Sequence, residues 1–350
     1  LKDLESKKII VFRKFKNAYA LFSGSDIDLD ELTELNKSKI RDDYDIILSQ
    51  LPQLQPIVAK KHFHETGTQR IYQRFCLVLT NIKKAVEEIV RLDISPASAG
   101  AFIFLCKTKE DTQKDFEDKL KELSQIKFPK PVIIGTSKNF NEFFNYALEI
   151  AALKRVKSTV DAIEGDAIAK KELNGRLTAY QNLLFNSLYL NFENADWTFN
   201  KNKVKENNLS SIASLISNEV FKLTPIIHNE LVVRDRLSGM SMNGATILLN
   251  RVFKNSNLKN LGMEGNPSEF GIYLSLIKSN NLHIKKGDEY AISIENTKNK
   301  SIKIIYDEFL KLIKGSKEAV NVSDIYAHFV KQPYGIKIGL LPILIGIFFK

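Results

Sequence analysis

The segment of this sequence with the most chemistry in it is Gly24-Ser25-Asp26-Ile27-Asp28. Metal-dependent nucleotidyl transfer uses a Gly-Ser turn, an Asp-x-Asp pair and a third carboxylate to hold two divalent ions and a triphosphate. The spacing here argues against it, because the Gly-Ser abuts the aspartates with no helical turn between them. Ser and Asp are also what a helix N-terminus selects, since their oxygens accept from unpaired backbone N–H groups. Capping is therefore the expectation, and transfer at Asp26 and Asp28 is the weaker alternative.

His62-x-His64-Glu65 could begin a metal cluster. On a strand the two imidazoles would share a face. No cysteine or nearby histidine completes the set, and His228, His283 and His328 lie far along the chain without ligand spacing. No phosphate-binding loop of the form Gly-x-x-x-x-Gly-Lys-Ser/Thr occurs. Gly135-Thr-Ser-Lys138 follows an apolar run, but it lacks the glycine-rich cradle and reverses the order of lysine and hydroxyl. No complete catalytic motif and no cofactor site is expected.

What remains is a polar knot among apolar residues, Asn229, Glu230, Arg234, Asp235 and Arg236. Such residues serve a buried network, an inter-domain contact or a solvated helix face. His62, Glu65 and Arg70 join Asn229, Glu230, Arg234 and Arg236 as candidates for interaction and coupling. Basic residues are also unevenly spread. Residues 201–350 hold 21 Lys and Arg against 13 Asp and Glu, whereas residues 1–200 hold 30 against 28. The excess is either a solvated lysine-rich surface or a nucleic-acid footprint. In the second case Lys201, Lys203, Lys205, Arg234, Arg236, Arg251 and Lys254 are the candidate phosphate contacts.

The elements that must position these residues read as α+β. Residues 1–135 form a mixed α/β domain. Short strands are expected at Ile9–Phe15, Tyr19–Phe22, Pro56–His64, Arg70–Thr80, Ala101–Cys106 and Pro131–Gly135. Helices are expected over Asp28–Ile40, Tyr44–Leu51 and Asp111–Ile126. Residues 136–265 form a helical domain with a long hairpin. Phe140, Phe143, Phe144, Ala147, Leu148 and Ala151 make one apolar stripe, and Ala169, Leu173, Leu177, Tyr180, Leu184 and Leu188 make the other. Asn139 and Glu142 resemble a capping box, and Trp197-Thr-Phe reads as extended. Residues 266–350 form a third, helical domain. Asn266-Pro-Ser-Glu269 reads as its helix start, and Tyr290, Ile292 and Ile294 alternate as in a strand. Its end, with helices at Val322–Val330 and Leu340–Phe349 around Gln332-Pro-Tyr-Gly335, has the layout of a partial winged helix. The second of these helices is nearly all apolar, which suits packing and not base reading.

Cys76 and Cys106 sit in apolar runs, as small hydrophobes of a reducing compartment do. The longest uncharged apolar run, Ile338–Phe349, is too short to span a bilayer. A chain that starts at Leu1 and stops inside an apolar run is expected to be an interior piece of a larger, cytoplasmic, bacterial-type protein.

Several of the unusual segments fall in one order. "IIVFRKFKNAYALFSGSDIDLDEL", "AKKHFHETGTQRIY", "HNELVVRDRLSG", "GNPSEFGIYLSLIKSNNLH" and "VSDIYAHFVKQPYGIKIGLLPILI" resemble the region after the ATPase core in very large bacterial P-loop ATPases of phage-exclusion (BREX) and related defence loci. The resemblance runs from about Ile9 to Ile345. Its sharpest points are Glu65-Thr66-Gly67 with Arg70, Asn229-Glu230-Leu231 with Arg234, and Pro333-Tyr334-Gly335. It implies a non-catalytic regulatory, oligomerising or partner-sensing region. ATP and Mg would belong to the core of the parent, and the partners would be other domains, subunits or defence proteins. Nucleic-acid binding through the basic part is the alternative.

Overall fold

The computed structural model describes all residues except 8, 14–17, 22–26, 93, 96, 207 and 316–318. In chain order the elements are α1 (Lys2–Ser6), β1 (Ile10–Arg13), β2 (Ala18–Leu21), α2 (Leu29–Ile40), α3 (Tyr44–Leu48), β3 (Ile57–Val58), α4 (Lys60–Thr66), β4 (Ile71–Val78), α5 (Ile82–Arg91), β5 (Gly100–Cys106), α6 (Gln113–Leu123) and β6 (Val132–Thr136). The long helices α7 (Phe140–Thr159) and α9 (Ala167–Glu193) flank the short α8 (Ala162–Gly165). Then come β7 (Asp196–Phe199), β8 (Asn202–Lys203), α10 (Leu209–Val220), α11 (Gly239–Lys254), α12 (Phe270–Ile272), β9 (His283–Lys286), β10 (Glu289–Ile292), α13 (Lys300–Lys314), α14 (Val322–Val330) and α15 (Leu341–Phe348). The fold is mixed α/β, with a six-stranded mixed sheet in the order β3-β4-β5-β6-β7-β8 and two two-stranded antiparallel sheets, β1-β2 and β9-β10.

Contacts divide the chain into two compact units. The first comprises residues 1–55, 73–93 and 101–204. Every residue of β5 is buried, which is what a continuous apolar run in a covered sheet requires. β6 pairs parallel to it, Ala101 opposite Val132 and Phe104 opposite Gly135, with α6 in the crossover. β7 then pairs antiparallel to β6 and sets Trp197 over Gly135. A Cβ on Gly135 would lie 2.3 Å from the indole, so this position takes glycine for close approach and not as part of a phosphate cradle. Phe104 joins Phe143 and Phe192 at ring separations of 5.7 and 5.3 Å. The stripes on α7 and α9 pack together and α2 lies on α7, as the buried Leu29, Leu153, Val156 and Leu173 show.

Asp28 caps α2, accepting from the amides of Asp30 and Glu31 at 3.0 Å each. Gly24, Ser25 and Asp26 lie outside the described residues. Asn139 precedes α7 but makes no side-chain cap. Glu142 instead accepts from Tyr146 and Ser187, at 3.1 Å each; the N-x-x-E pattern is a helix-to-helix contact, not a capping box. Cys76 and Cys106 are free thiols with sulfurs 3.6 Å apart.

The second unit comprises residues 56–72, 94–100 and 205–350. One large buried cluster in it includes Val232, Val233, Leu248, Phe309, Phe329 and most of α15. The strand expected at Pro56–His64 is only two residues long, and the helix α4 takes its place from Lys60. Lys-Lys-His-Phe-His-Glu has no β-branched residue to hold an extended backbone, and its buried contacts fall at helical spacing. His62 is consequently buried and His64 exposed, so the two imidazoles do not share a face. The helix expected from Asn266 begins at Phe270, because Glu269 is buried and pairs with Arg251 at 2.9 Å instead of reaching back as a cap. From Tyr273 to Lys278 the helix continues in π form. No helix among the described residues is long and apolar enough to cross a membrane.

Candidate functional site: a buried polar node around Arg70

Arg70 is 5% exposed. The left-handed Gly67 (φ +75°) ends α4, and the chain turns through Thr68, which is buried, to bring Arg70 inward. The guanidinium Nη2 donates to the Gly335 carbonyl at 2.5 Å and to Thr224 Oγ1 at 3.1 Å. Its Cζ lies 4.0 Å from the centre of the Phe221 ring. Nε has no partner, and no carboxylate contacts the group among the described residues. Burial pushes the guanidinium down to about 10, still far above neutrality, so the side chain remains a cation. Tyr72 and Asp235 favour that charge.

Thr224 Oγ1 passes a hydrogen bond on to the Tyr334 carbonyl at 2.7 Å, and the Leu223 amide donates to the Pro333 carbonyl at 3.1 Å. The 333–335 turn is thus clasped by residues 223–224 and by Arg70. A Cβ on Gly335 would lie 2.6 Å from Arg70 Nη2 and 2.5 Å from Phe221, so only glycine admits the guanidinium. Two residues on, Lys337 is 9% exposed and bridges Asp235 at 2.6 Å. Burial lowers the proton affinity of this lysine, and Asp235 opposes that shift. The Gly339 amide donates to the Arg234 carbonyl at 2.9 Å.

A second polar relay runs along α4. Asn218 Nδ2 donates to Glu65 at 2.8 Å, which leaves its Oδ1 facing His62 Nδ1 at 2.6 Å. Nδ1 must then carry the proton, and the buried Nε2 has no partner among the described residues. Tyr72 bonds Ser217 at 3.0 Å, and burial pushes its phenol up to about 12. His283 lies elsewhere in the same unit, between Tyr273 and the Ser256 carbonyl.

Burial is the first cause holding His62 and His283 below their ordinary value of 6.5. The unfolded chain therefore takes these protons before the folded one does. Stability is full above about 6.5 and is lost as pH falls below it. The denaturation midpoint is expected to drop between about pH 7.5 and 5.5, with a flatter profile in His62→Gln. An identical slope in that variant would show His62 to be irrelevant.

The remaining site candidates are placed as follows. Asn229 is buried, donates to Ser275 Oγ at 2.6 Å and accepts from the Leu231 amide. Glu230 and Arg234 are exposed and 3.8 Å apart. Arg236 and Lys254 are exposed, and Arg251 is engaged by Glu269. Lys203 is bridged to Asp196 at 2.6 Å, while Lys201 and Lys205 are exposed. Among the described residues no group of three or more His, Cys, Asp or Glu could hold a metal ion. Thr224, Phe221 and Lys337 at the node and Asn218 in the relay along α4 are singled out by no pattern in the sequence, whereas Asp235 falls in the polar segment read around Asn229. Comparison with protein-family models, with curated proteins and with solved structures finds no match.

Proposed function

We propose that this chain is a non-catalytic coupling and partner-sensing region of a large bacterial P-loop ATPase of the anti-phage defence class. One observation carries the reading. Two of the segments on which that resemblance rests, Glu65-Thr66-Gly67 with Arg70 and Pro333-Tyr334-Gly335, meet at a buried arginine, and Asn229 to Arg234 lies in the same compact unit. The Ile227 amide donates to the Thr66 carbonyl at 3.0 Å, so the segment leading into Asn229 is part of the same arrangement. Charge-assisted bonds to a neutral carbonyl and hydroxyl hold only while their carriers stay in place. A displacement of residues 223–224 or 333–335 strands a buried charge, which is costly. On this reading the node is the element whose arrangement a partner biases, and a motor elsewhere in the parent protein senses that bias.

ATP and Mg belong to the core of the parent protein, and the partners are its other domains or subunits and further defence proteins in the cytoplasm. We read α14, the 331–335 turn and α15 as a partial winged-helix-like unit that packs and does not read bases, since α15 is buried along most of its length. Titration of the purified chain with a fluorescent ATP analogue and Mg is expected to show no saturable binding up to about 1 mM. Micromolar binding, or hydrolysis, would sink this reading. The exposed Lys201, Lys205, Arg236 and Lys254, which have no carboxylate partner among the described residues, support nucleic-acid binding as the second reading. It requires duplex affinity at low salt that falls steeply as salt rises.

A further inference from the structure

We infer that the groove between residues 222–228, 275–280 and the start of α13 is a docking surface for an acidic, amphipathic peptide segment. The groove has a volume of about 780 Å³, within the range that accepts sizeable ligands. Lys222, His228, Lys298 and Lys300 stand along it and all are exposed. No carboxylate occurs among its described lining residues, and none forms an ion pair with these lysines. Between the cations lie aliphatic side chains, Ile226 at 50% exposure and Ile304 at 43%. Ile304 stands one helical turn beyond Lys300, so α13 presents a cation and an aliphatic group on the same face.

This chemistry selects one class of partner. The lysines call for several negative charges, and the isoleucines call for apolar side chains at helical spacing beside them. Nucleic acid supplies the charge, but single strands bind on aromatic stacking platforms, and a duplex backbone offers no apolar side chains to Ile226 and Ile304. The described lining has no aromatic ring other than His228 and no arginine.

The walls are fixed before any partner arrives. Asn299 Nδ2 donates to the Ile226 carbonyl at 2.8 Å and to Asn280 Oδ1 at 3.0 Å. The Ile226 amide donates to Ser301 Oγ at 3.2 Å. A preformed groove loses less entropy on binding. The wall segment also carries Thr224, a ligand of Arg70. Docking thus touches the residues that hold the node, and the inference deepens the partner-sensing reading, on which it rests, by naming the partner's chemistry.

The test uses the whole chain and a fluorescein-labelled peptide of about 14 residues, with leucine at every third or fourth position and glutamate at most others. Saturable micromolar binding is expected, weakened on the order of tenfold or more in Lys298→Glu/Lys300→Glu and again in Ile304→Asp. All three side chains are exposed, so an unchanged melting midpoint is the check on folding. No saturable binding, or equal binding by the variants, overturns the inference. So does tighter binding of a duplex oligonucleotide that the same variants abolish. These outcomes are independent of ATP binding, which tests the assignment to an ATPase separately.

Discussion

Gly67→Ala is expected to destabilise the second unit by roughly 3–5 kcal/mol, measured by chemical denaturation followed by far-UV circular dichroism. Two causes add. A non-glycine residue held at φ +75° costs about 1–2 kcal/mol by itself. The new Cβ would also stand 2.1 Å from the Ile227 carbonyl oxygen, an atom of rigid backbone. Moving it breaks the bond from the Ile227 amide to Thr66, worth about 1 kcal/mol, and disturbs the entry to Asn229. Gly265 supplies the control, since it has φ +66° and a Cβ added there would meet nothing within 4 Å. Gly265→Ala should therefore lose only the conformational part, about 1–2 kcal/mol. Equal losses at the two glycines would show that the close approach of Ile227 has no energetic weight.

Arg70→Met is expected to behave in the opposite way, with the fold kept and stability within about 1 kcal/mol of the unsubstituted chain or above it. Methionine is close in length and fills the space beside Phe221. It removes a desolvated cation that has no carboxylate in contact, and such groups cost several kcal/mol to bury. Against that stands the loss of a donor to the Gly335 carbonyl, about 1–3 kcal/mol. Thr224 keeps its bond to Tyr334. Arg70→Ala, which also leaves a cavity, should lose about 2–4 kcal/mol. A methionine variant as unstable as the alanine variant would make Arg70 a structural residue and nothing more. The expected functional signature is faster amide exchange at residues 334–337 in the methionine variant, with the rest of the unit protected as before.

Local patterns make much of the scaffold legible. Ala101–Cys106 reads as a buried strand because a continuous apolar run fits a covered sheet. Asp28 reads as a cap because a short carboxylate before an amphipathic run has few other uses. The helical stripes of α7 and α9 are equally local. The misreadings lie where tertiary contacts override a local pattern. Glu142 and Glu269 both stand where a cap would put them, and both are taken by partners on other helices. His62 alternates with His64 as a strand would have it, yet the pair sits on a helix.

Of the site, the motif residues are legible and their joining is not. Arg70 reaches Thr224 and Gly335 across separations of 154 and 265 residues, beyond any periodicity. An arginine in a polar stretch reads as solvated, and nothing in Thr-Gln-Arg announces burial. Lys298 and Lys300 likewise look like an ordinary charged run until the fold sets them beside Ile226 and Ile304.

Arg70 is the proposed coupling residue, outside the chemistry itself. On the proposed reading, the most direct test is steady-state ATP hydrolysis by an ATPase that contains this chain as its coupling region, comparing the unsubstituted protein with Arg70→Met. A coupling role predicts unchanged nucleotide affinity, stability within about 1 kcal/mol or raised, and partner-stimulated hydrolysis lowered on the order of tenfold, about 1.4 kcal/mol of lost coupling. Stimulated hydrolysis equal to that of the unsubstituted protein would contradict it.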